Sequence, residues 1–343
     1  MHPVLFPIES VWWAYSLFCL LILGVLFWDL QGENARDSEK TQHQSLISVV
    51  IWIVLAMVFC VGLYAFCLWH FPSDPRLSGL DTKALARQCS MEFLSGWLVE
   101  KSLSIDNLFV FLLLFESFAI PKQYHHRILF YGILGAILFR AIFISLGALV
   151  IRIPVVPLVF GVFLVFTGFK VAFAPTTISD PKKNFLYRFL LKVLPISSEF
   201  HGGKFLVKES GRLLGTPLLL TLIFIEVSDI IFAIDSVPAI FAITREPFIV
   251  FTSNIFAIVG LRALFFLLSG MLYKFHHLKY GLGIILCFVG LKMSLLDRHF
   301  DGHFPTTWSL SIILAALLLS GLLSWWFPAP HDSKAIKPHT DSL

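Results

Sequence analysis

Long apolar runs separated by short polar breaks dominate this chain. Nine of them are predicted as membrane-spanning helices, at about 11–28, 46–69, 91–117, 128–151, 153–174, 217–243, 247–272, 280–297 and 307–327. Such lengths suit a helix crossing a hydrocarbon layer of about 30 Å. The runs lack the period-two alternation of strands, so the expected class is all-α, a polytopic transmembrane bundle of about nine spans. Most connections are short and carry Pro, Gly or charge, as in Phe71-Pro72-Ser73-Asp74-Pro75 and Ile120-Pro121-Lys122; the one long connection is 175–216. The head Met1–Ser10 has no Lys or Arg. It lacks the marks of a signal peptide, and the first run is read as a retained span.

Composition agrees. Hydrophobic residues are 57% of the 343 and charged residues 14%, with a mean hydropathy of +0.82. A soluble domain of this size would need more charge on its surface. The net charge of +4 is modest, and no basic run suggests nucleic acid. With the N-terminus outside, the inside loops hold fifteen Lys and Arg and the outside loops six, the long loop supplying seven of the fifteen. The positive-inside rule then predicts a cytoplasmic C-terminus. The five cysteines, Cys19, Cys60, Cys67, Cys89 and Cys287, are scattered without a CxxC pair, which indicates neither a disulfide framework nor a thioredoxin-like motif.

An internal repeat organises the middle of the chain. At a constant offset of 122, Phe139-Arg140-Ala141-Ile142-Phe143 falls on Leu261-Arg262-Ala263-Leu264-Phe265. At the same offset Gly161, Leu164, Phe166, Gly168 and Lys170 fall on Gly283, Leu286, Phe288, Gly290 and Lys292. Spans 3 and 6 match at offset 129: Glu100, Ile105 and Asp106 on Asp229, Ile234 and Asp235. Each unit has three spans, an odd number, so the second must enter the membrane from the opposite side, as in transporters built from inverted-topology repeats. The expected organisation is two peripheral helices in 1–90 and a core in 91–297. Within the core, repeat 1 is 91–174, a cytoplasmic loop 175–216, and repeat 2 217–297. A last helix and tail occupy 298–343.

The chemistry sits on spans 3 and 6, where Glu100, Asp106, Glu226, Asp229 and Asp235 lie in otherwise apolar helices. Each ionised carboxylate at a helix centre costs about 2.5–3.5 kcal/mol on insertion scales, so five call for partners, water or a bound cation. Glu226 and Asp229 share a face at i, i+3, and Glu100 and Asn107 share one at i, i+7. Glu100 and Asp106, like Asp229 and Asp235, diverge by about 120° on a regular helix. Pro238 removes the hydrogen bond to Ile234 and is expected to kink or unwind span 6 beside Asp235. Carboxylate, amide and hydroxyl oxygens form a hard-ligand set suited to Mn²⁺, Mg²⁺ or Ca²⁺. The same charges admit another reading. Lys101, Arg140, Lys170, Arg262 and Lys292 match the five acids in number, and buried ion pairs would account for every charge. Lys170 and Lys292 lie near span ends, where they are expected to snorkel. Arg140 and Arg262 lie near mid-span and are expected to pair with acids.

Glu92 and Glu116 are read as interfacial, and His125-His126 and His276-His277 as solvated loop residues. The 36 Phe are read as packing and lipid-facing side chains, and the seven-residue spacing of Gly161, Gly168, Gly283 and Gly290 as close helix packing. No HExxH, GxSxG, Walker A or GxGxxG in context occurs, so an enzyme is not expected and no resident cofactor is implied.

The stretches Glu100-Lys101-Ser102-Leu103-Ser104-Ile105-Asp106-Asn107 and Glu226-Val227-Ser228-Asp229-Ile230-Ile231-Phe232-Ala233-Ile234-Asp235-Ser236-Val237-Pro238 resemble those of the TerC family of integral membrane proteins, linked to tellurium resistance. The resemblance covers about 90–295. It implies a bacterial inner-membrane or organellar protein of seven to nine helices. Some members are associated with manganese efflux, and others are described as tellurite-resistance or redox-modulating proteins. Carried over by position, the cation residues are Glu100, Asp106, Asn107, Glu226, Asp229 and Asp235, with Arg140 and Arg262 as charge partners. The expectation is a multi-pass exporter of Mn²⁺ working by alternating access in the lipid bilayer, with protons as coupling ion. The alternatives are a non-transporting scaffold or assembly factor and a membrane redox modulator.

Overall fold

The structure, a computed structural model, describes residues 4–34, 42–151, 153, 155–173, 195–197, 199–209, 212–269, 278–296 and 305–326. Its helices are α1 (Ile8–Asn34), α2 (Gln42–His70), α3 (Thr82–Ser117), α4 (Lys122–Val150), α5 (Val156–Phe173), α6 (Pro217–Phe241), α7 (Pro247–Val259), α8 (Leu261–Ser269), α9 (Leu278–Leu291) and α10 (Thr306–Trp326). Among the described residues eight helical stretches are long and apolar enough to cross a membrane, α7 and α8 counting as one from Pro247 to Ser269. The ninth predicted span is α3. At 36 residues it is long enough, but Lys83, Arg87, Glu92, Glu100, Lys101 and Asp106 set it apart from the apolar eight. It starts at Thr82 rather than near 91 because Asp81 caps it, its carboxylate accepting the N–H groups of Lys83 and Ala84 at 3.0 and 3.1 Å.

The predicted break at Pro238 does not occur. Pro238 lies inside α6, which runs on to Phe241. One turn from a helix end, most of the ladder is already complete, and the missing donor disturbs little. The irregularities fall in repeat 2 instead. Gly260 separates α7 from α8, and α9 ends in a π-helical turn over Lys292–Leu296. Two short strands, absent from the sequence reading, form an antiparallel hairpin in the long connection: β1 (Leu206–Glu209) and β2 (Arg212–Gly215).

Small residues set the helix crossings. α5 and α9 cross antiparallel where glycines meet: a Cβ on Gly161 would lie 2.6 Å from the Gly290 carbonyl oxygen, and one on Gly168 2.7 Å from that of Gly283. α4 and α6 run parallel, with Gly132 against Ile225 and Gly147 against Phe241. α3 and α7 also run parallel, Gly96 meeting Ser253 and the Lys101 ammonium donating to the Ala257 carbonyl at 3.1 Å. α3 and α6 are antiparallel, for Gly96 also meets Ile240 while Phe118, at the far end of α3, lies 5.3 Å from Phe224. The stretch Pro247–Ser269 is the most enclosed of the eight. Around it Phe59, Phe93 and Phe256 form an aromatic core, with ring centroids 4.7–6.0 Å apart. Phe166, Phe169 and Phe173 on α5 are exposed, as lipid-facing side chains would be.

Candidate functional site

The centre of the bundle is built on Arg140, in the middle of α4 and completely buried. Glycines at 132, 135 and 147 let α4 approach α6, bringing the guanidinium among four polar side chains. It is ion-paired to Glu100 of α3. It forks onto Asp229 of α6, with Nη2 3.2 Å from Oδ1 and Nε 3.4 Å from Oδ2. Its Nη1 also donates to Asn254 Oδ1 at 2.9 Å and to Ser236 Oγ at 3.5 Å. Asn254 in turn donates to Glu100 Oε2 at 3.5 Å. Glu100 and Asn254 have no exposed surface, and Asp229 has 2%. Isolated, each ion would carry a desolvation penalty of several kcal/mol; two carboxylates sharing one five-donor cation, with an amide and a hydroxyl filling in, is an arrangement that offsets it.

The other predicted residues fall around this centre. Because α4 and α6 run parallel, Glu226, one turn before Asp229, meets not Arg140 but Gly135, whose missing side chain leaves room for the carboxylate. The Glu226 Oε2 is buried without a hydrogen-bond partner. Asn107 is buried on α3. The Asp106 and Asp235 side chains lie outside the described residues. Among the described residues no three His, Cys, Asp or Glu side chains gather as a metal cage. Arg262, the repeat counterpart of Arg140, is buried and lines a narrow cavity with Asp229, Leu108, Phe111 and Gly132.

Three readings of single residues need correction. Lys292 does not snorkel. It is buried, and its ammonium donates to the carbonyl of Ala242 at the C-terminal end of α6, where helix carbonyls lack partners and cations are favoured. Lys170 is exposed. Glu92 is not interfacial but buried, accepting from Thr244 Oγ1 at 2.5 Å and Gln88 Nε2 at 2.8 Å. His125 is not simply solvated: its Nε2 lies 3.0 Å from the Ile120 carbonyl, and its ring stacks on Phe115 at 4.1 Å. His126 stacks on Phe266 at 3.9 Å. His276 and His277 lie outside the described residues.

Sequence reading missed Asn254, which follows Thr252 and Ser253, and Ser236, which follows Asp235; the role of each depends on which helix faces it. It also missed Glu246, just before α7, whose carboxylate accepts the Leu5 and Phe6 N–H groups at 3.0 and 3.3 Å. Burial pushes the Glu246 carboxyl up to about 7. Cys67 on α2 and Cys89 on α3, 22 positions apart, are both free thiols and fully buried.

A bundle of apolar helices closed around a desolvated guanidinium–carboxylate centre defines a multi-pass integral membrane protein. Residues 85–331 match the Integral membrane protein TerC family, and the chain belongs to that family. It is 40% identical over 317 residues, 92% of this chain and 94% of the relative, to a Photorhabdus laumondii protein named "Putative membrane-bound redox modulator Alx". A protein of the same name from Escherichia coli K12 is 38% identical over 326 residues, covering 94% of this chain and 97% of the relative. The "Uncharacterized membrane protein STKORF319" of Myxococcus xanthus is 42% identical over 324 residues, covering 93% and 95%. No solved structure matches the chain.

Proposed function

We propose that this protein is a secondary transporter that exports a divalent cation, Mn²⁺ being the favoured cargo, through the acidic centre on α3 and α6. The observation that carries this reading is Arg140, held between Glu100 and Asp229, the two acids that correspond in the repeat. A tethered cation fills the position that a mobile dication would take, and the hard oxygens around it suit Mn²⁺. Cation entry then requires the guanidinium to withdraw, which gives the carrier a closed resting state.

The inverted repeat fits the helix directions. Adding 122 exchanges the contact of Gly161 with Gly290 for that of Gly283 with Gly168, so the α5–α9 crossing maps onto itself. Exchange of the repeat roles would bring Arg262 toward the acids as Arg140 leaves, a two-state mechanism for alternating access. The loop charges favour the N-terminus outside and the C-terminus in the cytoplasm of a bacterial inner membrane. Protons are the proposed coupling ion, the Glu226 carboxylate with its unpartnered oxygen being their candidate carrier. No enzymatic step and no resident cofactor belong to this reading. The test is Mn²⁺ flux in proteoliposomes under imposed proton gradients. Flux lost in Glu100→Gln and Asp229→Asn, with native melting, supports the reading; no wild-type flux under any gradient removes it.

A second reading, a redox modulator without transport, follows the names of two relatives and has one observation in its favour, the two buried free thiols Cys67 and Cys89 on the packed helices α2 and α3. Thiol titration before and after treatment with diamide decides it. Loss of two thiols in the wild type but not in Cys67→Ser supports a redox role, and no loss in the wild type dismisses it.

A further inference from the structure

Outside the membrane-spanning helices, three donor atoms converge in the connection between α5 and α6. Ser197 Oγ lies 2.8 Å from His201 Nε2, His201 Nε2 lies 2.6 Å from Glu209 Oε1, and Ser197 Oγ lies 3.2 Å from Glu209 Oε1. We infer that these three atoms form a divalent-cation site, one triangular face of a coordination shell. Its role in loading the carrier rests on the transporter reading above; its binding does not.

The local fold builds the triangle. Ser197 is fixed because its N–H donates to the Gly215 carbonyl at 2.8 Å, beside the bridge between Ile196 and Gly215. His201, Gly202 and Gly203 follow in the left-handed region, with φ of 44°, 62° and 83°, and this tight turn carries the imidazole back over Ser197. Glu209 ends β1. Along that strand Val207 and Glu209 face the half-buried side while Leu206 and Lys208 are exposed, so the lysine projects away. Arg212, opposite Glu209 in the ladder, is exposed; its charge moderates affinity for a cation.

Other chemistries fit less well. A nucleophilic Ser–His–Glu relay needs the serine and the carboxylate on opposite ring nitrogens, whereas both oxygens here meet Nε2. Without a cation the three groups satisfy one another, Ser197 Oγ donating to Glu209 and accepting the Glu199 N–H at 3.3 Å, and an entering cation takes over these donor atoms. An octahedral ion with bonds of about 2.0–2.3 Å separates adjacent donors by about 2.8–3.3 Å; the edges of 2.8 and 3.2 Å fall in that range, and the His201–Glu209 edge of 2.6 Å must lengthen slightly to admit the ion. Imidazole with carboxylate and hydroxyl oxygen suits Mn²⁺ and its first-row neighbours. The His201 and Glu209 side chains are 25% and 41% exposed, which leaves the remaining positions to water.

The experiment uses the full-length, tag-free protein in detergent, stripped by a chelator and titrated with MnCl₂. Pulsed electron paramagnetic resonance reads imidazole ¹⁴N coupling to bound Mn²⁺. None of the intramembrane candidates is a histidine, so that coupling separates this site from them, and its loss in His201→Gln assigns it among the twelve histidines of the chain. The expected result is coupling in the wild type, retained in Glu100→Gln and abolished in His201→Gln. Binding at this site should weaken about 10- to 100-fold in His201→Gln and Glu209→Gln, both melting near the wild-type temperature. No coupling in the wild type, or coupling that survives His201→Gln, overturns the inference. Mn²⁺ flux without loop binding sinks this site and spares the transporter reading; loop binding without flux does the reverse.

Discussion

Replacing Arg140 with Ala is the sharpest test of the buried centre. The substitution leaves Glu100 and Asp229 facing each other with no exposed route to water and deprives Asn254 and Ser236 of their donor. Truncating one partner of a buried ion pair costs about 3–5 kcal/mol, much of it the penalty of the charge left behind. At about 2 °C per kcal/mol for a chain this long, the metal-free variant should melt roughly 5–10 °C below the wild type. A dication can take the vacated place. At 100 times its Kd it returns about 2.7 kcal/mol, so MnCl₂ should recover roughly half to nine-tenths of the loss in the variant while shifting the wild type, where the guanidinium competes, much less. Arg140→Lys should fall between the two, since an ammonium keeps the charge but cannot fork. The assay is thermal unfolding in detergent with a chelator and then with MnCl₂. Equal Mn²⁺ shifts in wild type and Arg140→Ala would refute the idea that guanidinium and cation share a position. An undisturbed melting temperature would refute the energetic account of the centre.

Other outcomes follow from the packing. Gly290→Ala places a Cβ 2.5 Å from the Gly161 carbonyl oxygen, so α5 and α9 must part, at a cost of about 1–3 kcal/mol; Gly321→Ala, inside α10 with nothing within 4 Å, should instead stabilise by about 0.5–1 kcal/mol. Thr244→Val removes the hydroxyl donating to buried Glu92 and should lower stability by about 1–3 kcal/mol in the same assay. Glu246 binds its proton more tightly folded than unfolded, so its contribution is present below about pH 4.5 and is lost as pH rises to about 7. The loss is roughly 3–4 kcal/mol at most. Melting from pH 4.5 to 7.5 should show that decline in the wild type and a flatter profile in Glu246→Gln; identical profiles would remove Glu246 as its source.

Much was legible in the chain. Apolar runs of bilayer length predict the spans because a backbone in lipid must satisfy its own hydrogen bonds, and helix is the local way to do so. The described helices fall on these runs, α3 beginning nine residues before its own. The offset of 122 singles out Arg140, Arg262 and the glycines, and the carboxylates announce themselves by their cost in an apolar segment. Helical period also places Glu226 and Asp229 on one face.

Periodicity says which residues share a face of one helix, but not what stands opposite. That was decided by the glycine contacts that set crossing and rotation. They put Asp229 against Arg140 and Glu226 against Gly135, although the two acids are one turn apart. They turned Asn254, unremarkable in its apolar run, toward Glu100 and Arg140. Lys292 near a span end is equally suited to snorkel or to cap a neighbouring helix, and only the position of Ala242 settles it. Ser197 and His201 are joined with Glu209 by a fold of the chain that no local spacing records. The spans and their rare charges are written in the chain, because they follow from transfer out of water residue by residue. The pairing of those charges is a property of close packing between helices, and tertiary structure alone decided it.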